Sequence, residues 1–548
     1  MKEPRQPETE ASAADGKSSP ISATGLLYQL VPLLLVAIGC EKLLLKLCHL
    51  PENAYGSSIL FTQIGQQSKA LSLVTFAFVG ACALAFLHPK TRRKLFISWP
   101  ELCSRREIRW LIVLAALPLV WRLTSHEYNY YWDQGYPIDR LLIGLCFLIL
   151  PFRPVASAPL VLISLPVLFQ FNYPLLGATW TTSSMAVRIL IFFLAYLGVV
   201  LASNSRFRND RILLFGLLLI VSLHYWSSGW QKVTSGWLLY DRIHVLFSAT
   251  TSSGWLLVID QDQLDKITRT LATIDFPLRF GTQIIELSPL LLAWGRRSLS
   301  LFLLCGFASF HIGVVLLTGI FFWEWILIEV GWAVTILHFS RSQPDWPSLS
   351  RSASLFYTML IGTSTLWYQA PTLFWFDAAA SYSYEFQARD QDGRLRRLPQ
   401  NFFEPTSYEI RLQNLDFLVP NTAQMKITFG ATDRETSQLL LATQSPEDLL
   451  KLEKRIGTIQ SDAIRAKRFE AFVQRFIANY NRRPNLKRAW SGLTAPYCLL
   501  ELFPPDTSQL PESIDQLEIY EILSFFDGNK THIVRRQLIS TIDIEISE

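Results

Sequence analysis

Long apolar blocks recur from about residue 25 to residue 377, separated by short polar stretches. A helix needs roughly 20 mostly apolar residues to cross the ~30 Å hydrocarbon layer. On that rule the predicted spans are 25–48, 70–88, 109–125, 139–151, 155–173, 186–203, 211–227, 283–295, 299–318, 320–338 and 354–376, about eleven in all. Segments 139–151, 283–295 and the tail of 109–125 are short, which suits tilted, half-inserted or bundle-enclosed helices.

Three stretches break this pattern. Residues 1–22 are polar and rich in small residues, and read as a disordered tail. They are not a secretory signal, because the apolar block starts late and lacks a small-residue cleavage pattern. Residues 228–282 mix Trp230, Trp237, Leu246, Phe247 and Trp255 with Asp241, Arg242, Asp260 and Asp262, as expected of amphipathic helices at a membrane surface. From about 378 onward the apolar runs shorten and charges become frequent. Tyr382-Ser-Tyr-Glu-Phe386 alternates, and so does Leu517-Glu-Ile-Tyr-Glu-Ile-Leu523. Asp392-Gly393 and Asp527-Gly528 are turn signals. Segments 445–456 and 462–482 read as helices, the second with Phe469, Phe472, Val473, Phe476, Ile477 and Tyr480 on one face. The expected architecture is an α-helical polytopic membrane protein with a C-terminal α+β extracytoplasmic domain over 378–548, preceded by a transmembrane domain over 23–377.

Composition supports a membrane protein. Of the 548 residues 50% are hydrophobic and only 17% charged, against about 25% charged in a typical soluble domain. The net charge of +5 is small for this length and does not suggest a nucleic-acid partner. Basic residues mark the loops expected in the cytoplasm: Lys90 to Arg109, Arg206 to Arg211, Arg296 with Arg297, and Arg341 with Arg351. With eleven spans this puts the N-terminus inside and both 228–282 and the C-terminal domain outside. The seven cysteines show no zinc-site spacing and read as small buried hydrophobes. No metal is expected. Asn529-Lys-Thr531 matches a glycosylation sequon, a tripeptide that often arises by chance.

Ionisable residues inside spans are costly and are therefore functional candidates. They are Arg122, Arg188, His224, Lys232, Glu286, His311, Glu324 and Glu329. For Arg122 and Arg188 the structural reading is an anchor near a span end or an acidic partner within the bundle. Glu286 could pair with an arginine or with Lys232. Glu324 is expected to be solvated, close to the outer turn. His311 lies mid-span with no charged neighbour within ten residues in sequence, which fits either a helix-to-helix hydrogen bond or proton handling. Lys232 falls among Trp226, Trp230 and Trp237. A lysine at a span end commonly snorkels to headgroups, whereas one packed among aromatics can give up its proton and act as a base.

Gly229-Trp-Gln-Lys-Val-Thr-Ser-Gly-Trp237, Glu286-Leu-Ser-Pro289 and Phe310-His311 with Thr318-Gly-Ile-Phe321 follow one another in that order. These pieces, over about residues 25 to 377, resemble the vitamin K-dependent γ-carboxylase and the wider horizontally transferred transmembrane (HTTM) domain family. Gln231 stands where the carboxylase has the first lysine of a pair. The carboxylase's Asn-His has no clear match, with Ser125-His126-Glu127 the nearest. The proline that follows the family's histidine span is replaced near Trp323.

The resemblance implies a quinol-coupled, carboxylase-like lyase integral to a bacterial inner (cytoplasmic) membrane and acting on an extracytoplasmic substrate. It implies reduced vitamin K or another isoprenoid quinol as cofactor. Lys232 is then the base that deprotonates the quinol and His311 its helper. Trp226, Trp230, Trp237 and Glu286 are the expected cofactor-binding residues. The expected partners are a membrane lipid or quinone, and a protein or peptide substrate at the C-terminal domain. The alternative reading is a non-catalytic membrane scaffold or lipid-binding protein whose C-terminal domain binds a partner. A transporter is a weaker third reading, because nothing shows internal duplication.

Overall fold

The computed structural model describes residues 20–48, 97–103, 105–125, 128–172, 184–203, 207–234, 236–239, 243–252, 260–294, 297–342, 349–368, 379–399, 401–403, 415–419, 421–423, 434–484, 494–496 and 510–544, with positions 56, 58, 407 and 410. The expected span 70–88 lies outside the described residues, as do Ser125's neighbours His126 and Glu127, and Cys82 and Cys498.

The chain is mostly helical. Among the described residues five helices are long and apolar enough to cross a membrane: α1 (Ala23–Lys46), α2 (Arg106–Ser125), α5 (Met185–Ala202), α6 (Asp210–Thr234) and α10 (Arg297–Thr318). Between α2 and α5 stand α3 (Pro137–Ile149) and α4 (Ser157–Asn172). At 13 residues α3 is only ~20 Å long, short of the hydrocarbon thickness. After α6 come α7 (Ile243–Ser252), α8 (Gln261–Thr273) and α9 (Asp275–Leu287), then a 3-10 turn over Ser288–Trp294. The expected span 283–295 is therefore not one continuous helix, because Pro289 and the tight turn end α9 after Leu287. The bundle closes with α11 (Trp323–Ser342) and α12 (Arg351–Gly362).

Helix α6 is the axis of the bundle. Every residue from Ile212 through Gly229 is buried, as expected of a helix that is apolar all round. α1, α5, α9, α12 and the Ser288–Trp294 turn pack around it. Gly216 lets α5 come close, since a Cβ there would lie 2.0 Å from Phe192 Cζ. Around this core, α3, α9, α10 and α11 leave large apolar side chains exposed, among them Leu141, Leu148, Phe276, Phe280, Phe302 and Leu316. A broad exposed apolar surface of this kind suits contact with hydrocarbon.

Ionisable groups in the bundle are paired. Arg122 Nη1 lies 3.4 Å from Glu324 Oε1, and Arg188 Nε 2.9 Å from Glu41 Oε1. Arg188 also stacks 4.4 Å over the Tyr368 ring. Glu324 is thus not solvated as its sequence position suggested. α2 carries a guanidinium to it, and the pair is buried together. Cys103 is buried, but Cys305 is exposed on the outer face of α10 and departs from the expectation of a buried hydrophobe.

The C-terminal part is an antiparallel sheet in the order β2-β1-β5-β6: β1 (Ala380–Arg389), β2 (Leu395–Arg397), β5 (Gln516–Phe526) and β6 (Thr531–Asp543). A separate two-stranded ladder joins β3 (Asn421–Ala423) to β4 (Thr458–Gln460). α13 (Arg434–Leu441), α14 (Pro446–Ile456) and α15 (Ala463–Arg482) complete it. Both turn signals do what they predicted, with Gly393 and Gly528 taking positive φ. On one face of the sheet Ala380 pairs with Phe525, and Tyr382 with Leu523, in a cluster with Leu449 and Leu452 of α14. On the same face Phe386 pairs with Ile519, and Ala388 with Leu517, in one core with the apolar face of α15.

Among the described residues the sheet domain docks on the bundle at two places. Tyr130 and Tyr131, in the turn between α2 and α3, pack on Phe476 and Phe472 of α15, and Asn479 Nδ2 donates to Tyr130 O at 2.5 Å. The β5–β6 turn sits on α7 and α8. Thr531 Oγ1 is 2.9 Å from Ser248 Oγ, and the Thr531 amide donates to Asp265 Oδ1 at 3.2 Å. Arg269 donates to Asn529 Oδ1 at 3.0 Å. The sequon-like tripeptide therefore works as a docking contact.

Asp275 fixes α7 against α9. Its Oδ1 accepts from the amides of Ile243 at 2.7 Å and His244 at 3.1 Å, satisfying donors at the N-terminus of α7. His244 Nδ1 lies 2.9 Å away, and Arg279 pairs with Oδ2. Burial works to raise this carboxyl, but the hydrogen bonds from His244 and Arg279 outweigh it and hold it down at about 2. A carboxyl depressed on folding stabilises above its unfolded value of about 3.9, and the stabilisation is lost as pH falls toward 2. Its contribution is about 2 kcal/mol. Hydrogen-exchange protection factors of the Ile243 and His244 amides should therefore fall between pH 4 and pH 2, and Asp275→Asn should remove that fall.

Candidate functional site

Two residues near the end of α6, Gly229 and Lys232, determine the site. Gly229 faces α9 so closely that a Cβ would lie 3.0 Å from Glu286 C, Glu286 Cβ and Leu287 Cδ2. The close approach lets Gln283 Nε2 donate to Gly229 O at 2.8 Å. One helical turn further on each helix, Lys232 meets Glu286. The spacing of three places Gly229 and Lys232 on one face of α6, and Gln283 and Glu286 on one face of α9. Lys232 Nζ donates to both carboxylate oxygens of Glu286 at 2.6 Å. Lys232 is 0% exposed and Glu286 2%. The lysine does not snorkel; it is sealed inside the bundle.

The tryptophans divide into two groups. Trp237 lies against the amine, with Nζ 5.3 Å from its ring centroid. Its indole N–H donates to Arg279 O at 3.2 Å, and Arg279 Nη1 donates back to Leu238 O at 2.9 Å. The clamp built on Asp275 thus also holds Trp237 over Lys232. Trp226 and Trp230 stack on each other at 5.8 Å, and Trp230 is 41% exposed. Neither lines the cavity described next, so the amine is flanked by one indole rather than three.

Lys232, Glu286, Trp237 and His311 all line a single cavity of about 310 Å³. Its walls come from α6, α7, α9, α10 and the start of α11, and are otherwise mainly apolar, including Leu246, Leu278, Val314, Leu317 and Phe322. Gly281 and Gly313 stand on the walls with open space beside them. Ligand pockets commonly have this size and this mix of apolar walls with few polar groups. The volume is roughly twice the ~150 Å³ that accommodates benzene, enough for a bicyclic ring headgroup.

His311 faces the cavity from α10 and is 4% exposed. Its Nε2 lies 2.7 Å from Tyr225 Oη. The Tyr225 hydroxyl group is also hydrogen-bonded to Glu329 Oε1, which is 3.4 Å from His311 Nε2. Glu329 is 0% exposed. Phe307 stacks on Tyr225 at 4.0 Å and Trp325 meets His311 edge-on at 5.2 Å, fixing both rings. The motif Thr318-Gly-Ile-Phe321 earns its glycine here: Gly319 takes φ 68° where α10 ends and the chain turns back into α11. That reversal brings Glu329 beside His311.

The sequence offered signs of this second cluster without assembling it. Glu329 stood among the intramembrane acids, and Tyr225 adjoins His224 at the start of the lysine motif. Their partnership with His311 spans 86 and 104 positions from Tyr225 and follows no local spacing. His224 faces elsewhere. Its Nδ1 lies 2.9 Å from Tyr368 Oη, and its ring meets Trp325, which also packs on His311, edge-on at 5.2 Å.

Gly229→Ala tests the α6–α9 contact. Alanine within a helix normally stabilises by roughly 0.5–1 kcal/mol over glycine. Here the added methyl meets backbone, and a net loss of about 1–3 kcal/mol is expected from overpacking. Thermal unfolding in detergent measures it, and a rise in Tm would show that the helices part freely. No family model, curated protein or solved structure matches this chain.

Proposed function

We propose that this chain is a membrane-embedded enzyme of the HTTM type, similar to the vitamin K-dependent γ-carboxylase. In this reading it uses a reduced isoprenoid quinol to act on an extracytoplasmic substrate. The observation that carries the reading is the meeting of Lys232, Glu286, Trp237 and His311 on one apolar cavity inside an apolar bundle. Apolar walls suit the ring and tail of a lipid-soluble ligand, and the polar groups suit its hydroxyls. Trp237 and the walls would hold the ring, and Lys232 and His311 would meet the oxygens.

Bound quinol would supply, on oxygenation, a base strong enough to take a proton from a glutamate side-chain carbon. The chain's own task is to handle the first proton. Lys232 and Glu286 share hydrogen bonds along which a proton can rest on either partner. With the proton on Glu286, the Nζ lone pair accepts the hydroxyl proton of the ligand. Burial excludes water from the exchange and strengthens each interaction within it. The quinol headgroup and the C-terminal domain would share one side of the membrane. Support comes from the docking of that domain on the α2–α3 turn and on α7 and α8, together with basic residues at the opposite loops. An eleven-span bundle with a cytoplasmic N-terminus accommodates all of these.

The tight pairing of Lys232 with Glu286 favours a second reading, a lipid-holding protein without turnover in which the pair only pins α6 to α9. The two part on a simple comparison. For an enzyme, Lys232→Ala abolishes turnover while the protein still folds, and a quinone copurifies with the wild-type protein by lipid mass spectrometry. Full activity in Lys232→Ala removes Lys232 from the mechanism. Tolerance of Lys232→Arg, with no quinone bound, leaves the lipid-holding reading standing.

A further inference from the structure

We propose that Glu329, Tyr225 and His311 form a proton chain that moves positive charge to the cavity wall when an anion forms in the cavity. The inference rests on the proposed function only for the nature of that anion. It stands on four observations. Glu329 is fully buried, and its Oε2 has no hydrogen-bond partner among the described residues. Its other oxygen is hydrogen-bonded to the Tyr225 hydroxyl group, with His311 Nε2 3.4 Å away. The cations on neighbouring elements face other acids: Lys232 of α6 pairs with Glu286 of α9, and Arg122 of α2 with Glu324 of α11. The Tyr225 hydroxyl bridges the carboxylate and the imidazole, and the Phe307 ring is stacked over it.

Charge balance then dictates the resting state. The Lys232–Glu286 pair sums to zero. An ionised Glu329 beside a neutral imidazole would leave one uncompensated charge in an apolar interior, which is strongly unfavourable. One proton therefore resides in the chain, on Glu329 or on His311. With an empty cavity it stays on Glu329, where no charge is separated. An anion beside His311 favours the other arrangement. With Glu329 protonated, its Oε1–H donates to Tyr225 Oη and the Tyr225 hydroxyl donates to His311 Nε2; on transfer the Tyr225 proton passes to Nε2 while the Glu329 proton passes to the Tyr225 oxygen. The result is an imidazolium at the cavity wall, a carboxylate behind it and an unchanged tyrosine. No proton enters or leaves, so the transfer balances without water. Glu329 and Tyr225 act through His311 and are positioning residues.

Infrared difference spectroscopy on the full chain in nanodiscs tests this. The probe is 2,4-dinitro-1-naphtholate, a bicyclic phenolate that is an anion at neutral pH; naphthalene is the neutral control. The resting protein should show a protonated carboxylic-acid carbonyl band that Glu329→Gln removes. Dinitronaphtholate should abolish that band and naphthalene should leave it unchanged. In Tyr225→Phe the band should shift, having lost its hydroxyl partner, and should no longer respond to the anion. This variant serves if Glu329→Gln does not fold. The proposal is overturned by a resting spectrum without a Glu329 acid band, by a band that survives bound dinitronaphtholate, or by an anion response that persists in Tyr225→Phe. A cavity that takes up naphthalene but excludes the anion overturns it equally. None of these readouts needs turnover, so an inactive chain would sink the enzyme reading and leave this one standing.

Discussion

The buried contact between Lys232 and Glu286 is the constraint on which the rest of the site depends. Two charges inside an apolar bundle are tolerated only when they meet in good geometry. They meet because Gly229 removes the side chain that would hold α6 and α9 apart. The glycine, the lysine and the carboxylate are thus one device. The approach of the helices sets the pair, and the pair then penalises any slippage between them. Asp275 reinforces the device from the other end of α9. It anchors α7 and, through Arg279, the loop that carries Trp237.

The same logic extends through the bundle. Arg122 with Glu324 and Arg188 with Glu41 each join helices distant in sequence. Each acid and base is costly alone, so each pairing specifies which helices are neighbours. The His311–Tyr225–Glu329 cluster differs in kind. It links a buried carboxyl, a hydroxyl and an imidazole by hydrogen bonds, and it lies beside a cavity rather than between packed helices. A structural pair needs no open space beside it. The two clusters on the cavity therefore bear on chemistry more directly than the two arginine pairs do.

Much of the fold was legible because its periodicities are strong. Helices stand in the described apolar segments, and the C-terminal turns fall at Asp392-Gly393 and Asp527-Gly528 as expected. The face of α15 from Phe469 to Tyr480 is buried as its spacing foretold. Where the reading departed, a long-range contact was responsible. Glu324 sat near a turn in sequence and was read as solvated, but Arg122 arrives from α2, 202 positions away. Trp226 and Trp230 are near Lys232 along the chain, yet the helical rotation turns them to another face.

The sequence by itself determined which residues were expensive to bury and where helices and turns would begin. Both follow from local chemistry: a charge in an apolar run and a glycine after an aspartate need no tertiary context. Lys232, Glu286 and His311 could each be singled out on that ground. Only the tertiary structure decided that all three share one cavity, that the lysine is sealed rather than snorkelling, and that Glu329 and Tyr225 belong with the histidine. Those facts depend on how α6, α9, α10 and α11 pack. That packing is set by the close approach at Gly229 and the left-handed turn at Gly319, whose meaning appears only when the neighbouring helix is present.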